Sequence, residues 1–276
     1  MQFFQEKRKQ IVILVLCAAL LTAGAGLAKH FLWHLEGGDS PVVDCEVAPA
    51  GMDVETHQLL LGVTVTLKEW QTPGLLVEAG DTSMEFPLTE TADGVFNGSV
   101  AVPLDPLNGL RLYLTEETAE NASTREPLGS WANATMLLPV RLQKYQLTNP
   151  RFEAGELRNG VVITQAEDIH LEGGEDGGCA VELRVYRNGT LTEVAPGTWD
   201  ADSGLYHTER LEVPCKLEDN LRLTIAYQDA QNIEYENTIG RWEITADGDV
   251  REEPDLKQDI NPTLTWPQEG EKTTQA

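Results

Sequence analysis

Residues 204–227 read GLYHTERLEVPCKLEDNLRLTIAY, and residues 94–114 read GVFNGSVAVPLDPLNGLRLYL. Val102 and Pro103 recur as Val213 and Pro214, and Leu110, Arg111 and Leu112 recur as Leu221, Arg222 and Leu223, always 111 positions later. The register continues, because Leu128, Gly129 and Trp131 reappear as Ile239, Gly240 and Trp242. A fixed period of this length marks a duplicated domain-sized unit. Each copy is long enough to bury a core of its own.

Within the second copy the apolar residues alternate. Val181, Leu183 and Val185 share one face while Glu182, Arg184 and Tyr186 share the other; Leu221, Leu223, Ile225 and Tyr227 alternate with Arg222, Thr224 and Ala226. That is the period of a half-buried strand. In the first copy, strand-like runs cover 59–67, 74–78, 83–86, 95–102, 110–114 and 134–142, with Glu116–Glu126 read as a loop. Turn residues such as Ala79-Gly80-Asp81 and Ala92-Asp93-Gly94 separate them. Short strands punctuated by turns predict a β-sandwich in each copy.

The ends differ from this pattern. Residues 1–10 are short and basic, and Ile11 to Ala28 carry no charge, with Phe31, Leu32 and Trp33 able to extend the run. Residues 11–33 therefore read as a transmembrane signal-anchor helix, with Lys7, Arg8 and Lys9 placing a cytoplasmic N-terminus. The expected localisation is a single-pass cell-membrane protein with its bulk extracellular. The competing reading is a cleaved signal peptide, since Ala23-Gly24-Ala25 has the small-residue spacing of a cleavage site. Residues 34–41 form a linker, 42–145 the first sandwich and 146–245 the second. Residues 246–276, rich in Asp, Glu, Pro, Gln and Thr, are expected to be a flexible acidic and polar tail.

Charge limits the partners. Four of the 20 basic residues and one of the 45 acids lie in the first 29 positions, leaving 16 bases against 44 acids, a net charge of −28. Such a field repels phosphate backbones, so nucleic acid is not an expected partner. The acidic loops read as solvated surface.

The combination of Asp202-Ser203-Gly204-Leu205-Tyr206, a strand ending in Val-Pro, a short turn, the strand LRLTIAYQDA (221–230) and a closing hairpin resembles the immunoglobulin-like and fibronectin-III-like repeats of bacterial cell-surface proteins over residues 42–245. The resemblance implies sandwiches on a cell surface; together with the repeat and the apolar run, the expected fold is all-β, two tandem immunoglobulin-like β-sandwich domains after one N-terminal transmembrane helix. It transfers no catalytic residue, and the Cys, Trp, Cys framework of antibody domains is absent.

Candidate sites are few. Trp199, between turn signals in Pro196-Gly197-Thr198-Trp199-Asp200, could stack on a sugar or a partner, or fold back onto its sheet. Asp200 and Asp202, with Gly204, have the alternation of some calcium loops, but Leu211 stands where an EF-hand needs glutamate, so a turn before a strand is the better reading. Trp131 and Trp242 read as core residues. Cys179 and Cys215 are a candidate disulfide with Cys45 left over; a pair of buried free thiols is the alternative. The histidines are scattered, with no HExxH, GxSxG, GxGxxG or Walker pattern, so no catalytic residue, metal ligand or cofactor is assigned. Asn97, Asn121, Asn133 and Asn188 lie in N-x-S/T sequons. The expected function is a membrane-anchored, extracellular, non-enzymatic binding or scaffolding protein for a protein partner, a cell-wall glycan or a neighbouring membrane complex. The alternative is a surface-anchored hydrolase whose carboxylates converge only in the fold.

Overall fold

The structure, a computed structural model, describes residues 40–68, 73–104, 109–116, 124–155, 159–253 and 261–267. The expected membrane segment, 11–33, lies outside these residues. No helix among the described residues is long and apolar enough to cross a membrane.

In the first unit, β1 (Val42–Asp53), β2 (Gln58–Leu67), β5 (Thr89–Ala92) and β6 (Val95–Pro103) form one antiparallel sheet in the order β1-β2-β6-β5. The second sheet has the order β4-β3-β7-β8, from β3 (Pro73–Ala79), β4 (Thr82–Pro87), β7 (Leu110–Glu116) and β8 (Thr124–Trp131). Alternation makes the two sheets stick. Leu59, Leu61, Val63, Val65 and Leu67 of β2 face Leu75 and Val77 of β3 and Leu110, Leu112 and Leu114 of β7, all buried. Burying each such side chain contributes roughly 1.5–3 kcal/mol.

The second unit repeats this order. It uses β9 (Arg141–Ala154), β10 (Asn159–Glu172), β11 (Ala180–Arg187), β12 (Thr190–Asp200), β13 (Leu205–Thr208), β14 (Leu211–Lys216), β15 (Asn220–Gln228) and β16 (Glu234–Ile244). Leu110 lies opposite Trp131 and Leu221 opposite Trp242; Leu112 lies opposite Gly129 and Leu223 opposite Gly240. A register shift follows the second of these pairs in both copies, after Leu112 and after Leu223. The duplication read from sequence thus extends to individual cross-strand pairs. In both units the chain also changes sheet midway: β4 pairs with β3 before β5 pairs with β6, and β12 pairs with β11 over Glu182–Arg187 before Gly197–Asp200 pair with β13. Leu88 interrupts the first crossing, whereas β12 runs through, so the second unit is one continuous curved sheet. Lettering the strands A, B, C, C′, D, E, F and G, with the two halves of β12 as C′ and D and with β13 and β14 together as E, each unit has A-B-E-D packed on C′-C-F-G, an immunoglobulin-like arrangement.

Several expectations need correction. Residues 134–142 are not a strand: Ala134–Leu137 form a 3-10 turn, and Arg141 onward belongs to β9. The expected unit boundary after residue 145 falls inside β9, because Arg141, Leu142 and Lys144 already pair with β10. Residues 124–126, the end of the expected loop, instead open β8 (Thr124–Trp131), where Thr124, Arg125 and Glu126 pair with Glu116, Thr115 and Leu114 of β7. The expected flexible tail contains two strands, β17 (Val250–Glu252) and β18 (Thr263–Thr265), each hydrogen-bonded to β16. Both cover the open edge of β16, whose unpaired backbone groups supply the reason for them to order.

Candidate functional site

Trp199 turns inward. Its ring lies over Gly177, whose hypothetical Cβ would sit 2.7 Å from the indole, and its centroid is 4.7 Å from that of Tyr206. It closes one end of the second core, the inward of the two readings given for it. Tyr206 is held there because its hydroxyl accepts from the Cys179 amide at 3.2 Å and donates to the Gly174 carbonyl at 3.4 Å. Asp200 and Asp202 form a turn. Asp200 accepts the Asp202 amide at 3.0 Å and the Ser203 hydroxyl at 2.7 Å, and the Ser203 hydroxyl is the main cause holding its carboxyl below the ordinary value. The Asp200 carboxylate is thus spent within the turn. No group of three or more metal-ligating side chains occurs among the described residues.

Cys179 and Cys215 are free, as is Cys45, so the candidate disulfide does not form. The geometry explains it. Cys179 immediately precedes Ala180 at the start of β11, whereas Cys215 lies on β14 at the far end of that strand, where Arg187 Nη1 donates to the Pro214 carbonyl. The two lie toward opposite ends of β11, an eight-residue strand about 23 Å long, and a disulfide needs Cα atoms within about 7 Å. Burial is the main cause that pushes both thiols up to about 11, which keeps them protonated and poorly nucleophilic at neutral pH.

A set of residues that sequence reading did not single out lies on the outer face of β12-β11-β15-β16. Arg184 grips Glu234 with both terminal nitrogens, at 2.8 and 2.6 Å, and donates from Nε to Glu182 at 2.9 Å. Glu236 adds a fourth member at 3.8 Å from Arg184 and 3.7 Å from Arg222. The bidentate hydrogen bond to Arg184 is the main reason that the Glu234 carboxyl stays below its ordinary value, and the same bond raises the guanidinium's. The Arg222 guanidinium sits 3.9 Å above the Tyr186 ring. Small side chains beneath these arms, Thr224 and Ala226, are fully covered. This network fixes long side chains that would otherwise be mobile.

An apolar row lies beside it. Val194 is opposite Arg184 and Leu191 opposite Tyr186 in the β11–β12 ladder, at 40% and 44% exposure. Together they are two of the four large apolar side chains exposed among the described residues. The period-2 alternation of β11 was legible, and it correctly placed Glu182, Arg184 and Tyr186 on one face. What it lacked was the partner: Glu234 is 50 residues from Arg184 and meets it only across β15.

No protein family and no curated protein matches the chain. Among solved structures it is similar to a marsupial T cell receptor, at 9% identity and a TM-score of 0.23, over 72% of this chain; the match spans 62% of that chain's length. The immunoglobulin-like assignment rests on the strand order of both units.

Proposed function

We propose that the chain is a membrane-anchored, extracellular, non-enzymatic binding or scaffolding protein, of the kind found on bacterial surfaces, and that the outer face of β12-β11-β15-β16 receives a protein partner. The observation that carries this reading is the adjacency of exposed Leu191 and Val194 to the rigid Tyr186–Arg222 stack and Arg184 network. Tyrosine and arginine are among the residue types that carry most protein–protein binding energy, and the exposed aliphatic area beside them loses water on contact with a partner. Pre-ordering lowers the entropy lost on association. A protein is favoured over a glycan because Trp199, the sugar-stacking candidate, is half-buried with its ring packed on Tyr206 and over Gly177.

The test is a pull-down with the full chain against membrane proteins and wall fragments of the source cell, beside the variants Leu191→Asp, Val194→Asp and Arg222→Glu. Capture of one defined protein by the parent chain, reduced at least tenfold by each variant while unfolding is unchanged, supports the reading. Equal capture by all four chains moves binding to another surface. Turnover in a hydrolase screen, lost on removing one carboxylate, replaces the reading with an enzymatic one.

A further inference from the structure

Residues 261–267 touch three parts of the molecule that are remote in sequence. Asn261 Oδ1 accepts from Asn133 Nδ2 at 3.1 Å and from Thr135 Oγ1 at 2.7 Å, and both donors are buried in the connection between the units. Thr263, Leu264 and Thr265 pair with Glu236, Tyr235 and Glu234 of β16. Trp266 then stacks on His57 in the β1–β2 turn of the first unit, with centroids 4.5 Å apart and ring planes 15° from parallel. Beside that stack Gln231, in the β15–β16 turn, donates to the Met52 carbonyl at 3.4 Å.

We propose that residues 261–267 act as an intramolecular strap that fixes the orientation of the first unit against the second. Two domains joined by a short connection move relative to one another by default unless something braces them. The direct connection, residues 132–140, contains one 3-10 turn and is too slight to brace two sandwiches. The strap adds a further link beside the Gln231–Met52 hydrogen bond. Its three attachments are individually modest, but they lie on one seven-residue segment, so each raises the effective concentration of the others. An edge strand alone would need only the pairing with β16. Asn261 and Trp266 lie on either side of that pairing and reach the connection and the first unit. Pro262 and Pro267 bound the strand, where a fixed φ and a missing donor stop it from extending along β16.

Hydrogen exchange of the full chain, read peptide by peptide, tests the strap. In Asn261→Ala/Trp266→Ala, amides of residues 53–58 and 134–142 are expected to exchange at least tenfold faster than in the parent chain. The Leu142 amide reports on the first residues of β9 just beyond the connection, where it donates to the Tyr227 hydroxyl at 3.1 Å. Trp266→Phe, which keeps a flat ring on His57, should retain most of the protection. Acceleration confined to 234–236 and 263–265 overturns the proposal and leaves β18 as an edge strand only; no acceleration anywhere overturns it as well. Should the double variant lose protection in the β2 and β7 cores, His57→Asn decides instead, because Asn accepts the φ of +56° at that turn and removes only the stack. Faster exchange at 134–142 then supports the strap, and unchanged exchange refutes it.

Discussion

Trp131 and Trp242 occupy the same place in the two units, opposite Leu110 and Leu221, and each lays its ring back over a glycine two residues earlier. A Cβ on Gly129 would fall 2.3 Å from the Trp131 ring, and one on Gly240 would fall 2.0 Å from Trp242. The local device is the same, yet its burial differs. Trp242 is 5% exposed, whereas Trp131 is only half-buried. The two edges also differ in added chain: β17 pairs with Trp242–Ile244 and lengthens the sheet there, while β8 has no further strand beyond it among the described residues. The shared sequence pattern thus carries the same strand register in both units, while the chain around each ring differs.

The largest contrast is expected from removing the rings. Trp242→Ala should destabilise the second unit by about 3–5 kcal/mol, and Trp131→Ala should cost the first unit visibly less, because part of its ring is already in water. Urea unfolding, followed by hydrogen exchange in each unit, measures both; equal losses would break the comparison. Next come the glycines. Gly240→Ala forces a covered ring to move and should cost about 1–3 kcal/mol, while in Gly129→Ala the half-buried ring can swing outward at smaller cost. A Gly129→Ala loss as large as that of Gly240→Ala would show that the first ring is as confined as the second.

The smallest effect sharpens the comparison through pH. Cys179 and Cys215 in the second unit, against Cys45 alone in the first, are raised from 9.0 to about 11, mainly by burial. A raised folded-state value means that the folded chain keeps protons that the unfolded chain releases. The contribution is therefore complete below pH 9 and lost progressively as pH rises toward 11. Burial also raises Tyr227 and Tyr235, which extends the loss in the same direction. The second unit should accordingly weaken earlier in an alkaline titration followed by hydrogen exchange, and Cys179→Ala/Cys215→Ala should narrow the gap.

The duplication was legible because Leu110, Leu112 and Trp131 must face inward in both copies, and inward-facing residues on a strand recur at a fixed spacing. The change of sheet along β12 was less visible, since Pro196-Gly197 reads as a turn and nothing local says that the strand continues past it. The candidate disulfide failed for a related reason: spacing along the chain reports that Cys179 and Cys215 each sit by a strand end, not that those ends are opposite. The strap was hidden by composition. Asn261-Pro262-Thr263-Leu264-Thr265-Trp266-Pro267 has two large apolar residues in an acidic, proline-rich surrounding, and its order comes from the β16 edge, not from its own propensity. The Arg184 face was half readable, its alternation evident and its carboxylate partners supplied only by strand pairing.

Asn133 illustrates how a short motif can be silenced by its surroundings. Asn133-Ala134-Thr135 satisfies the rule for attachment of an N-linked sugar, yet the Asn133 side-chain amide donates to Asn261, the Thr135 hydroxyl lies 2.6 Å from Asn133 Oδ1, and both residues are buried. The nitrogen that would carry the sugar is the one that holds residue 261. In a cell equipped to glycosylate such chains, modification at this sequon and docking of Asn261 are mutually exclusive, so a sugar attached before folding would leave residue 261 without its partner in the connection.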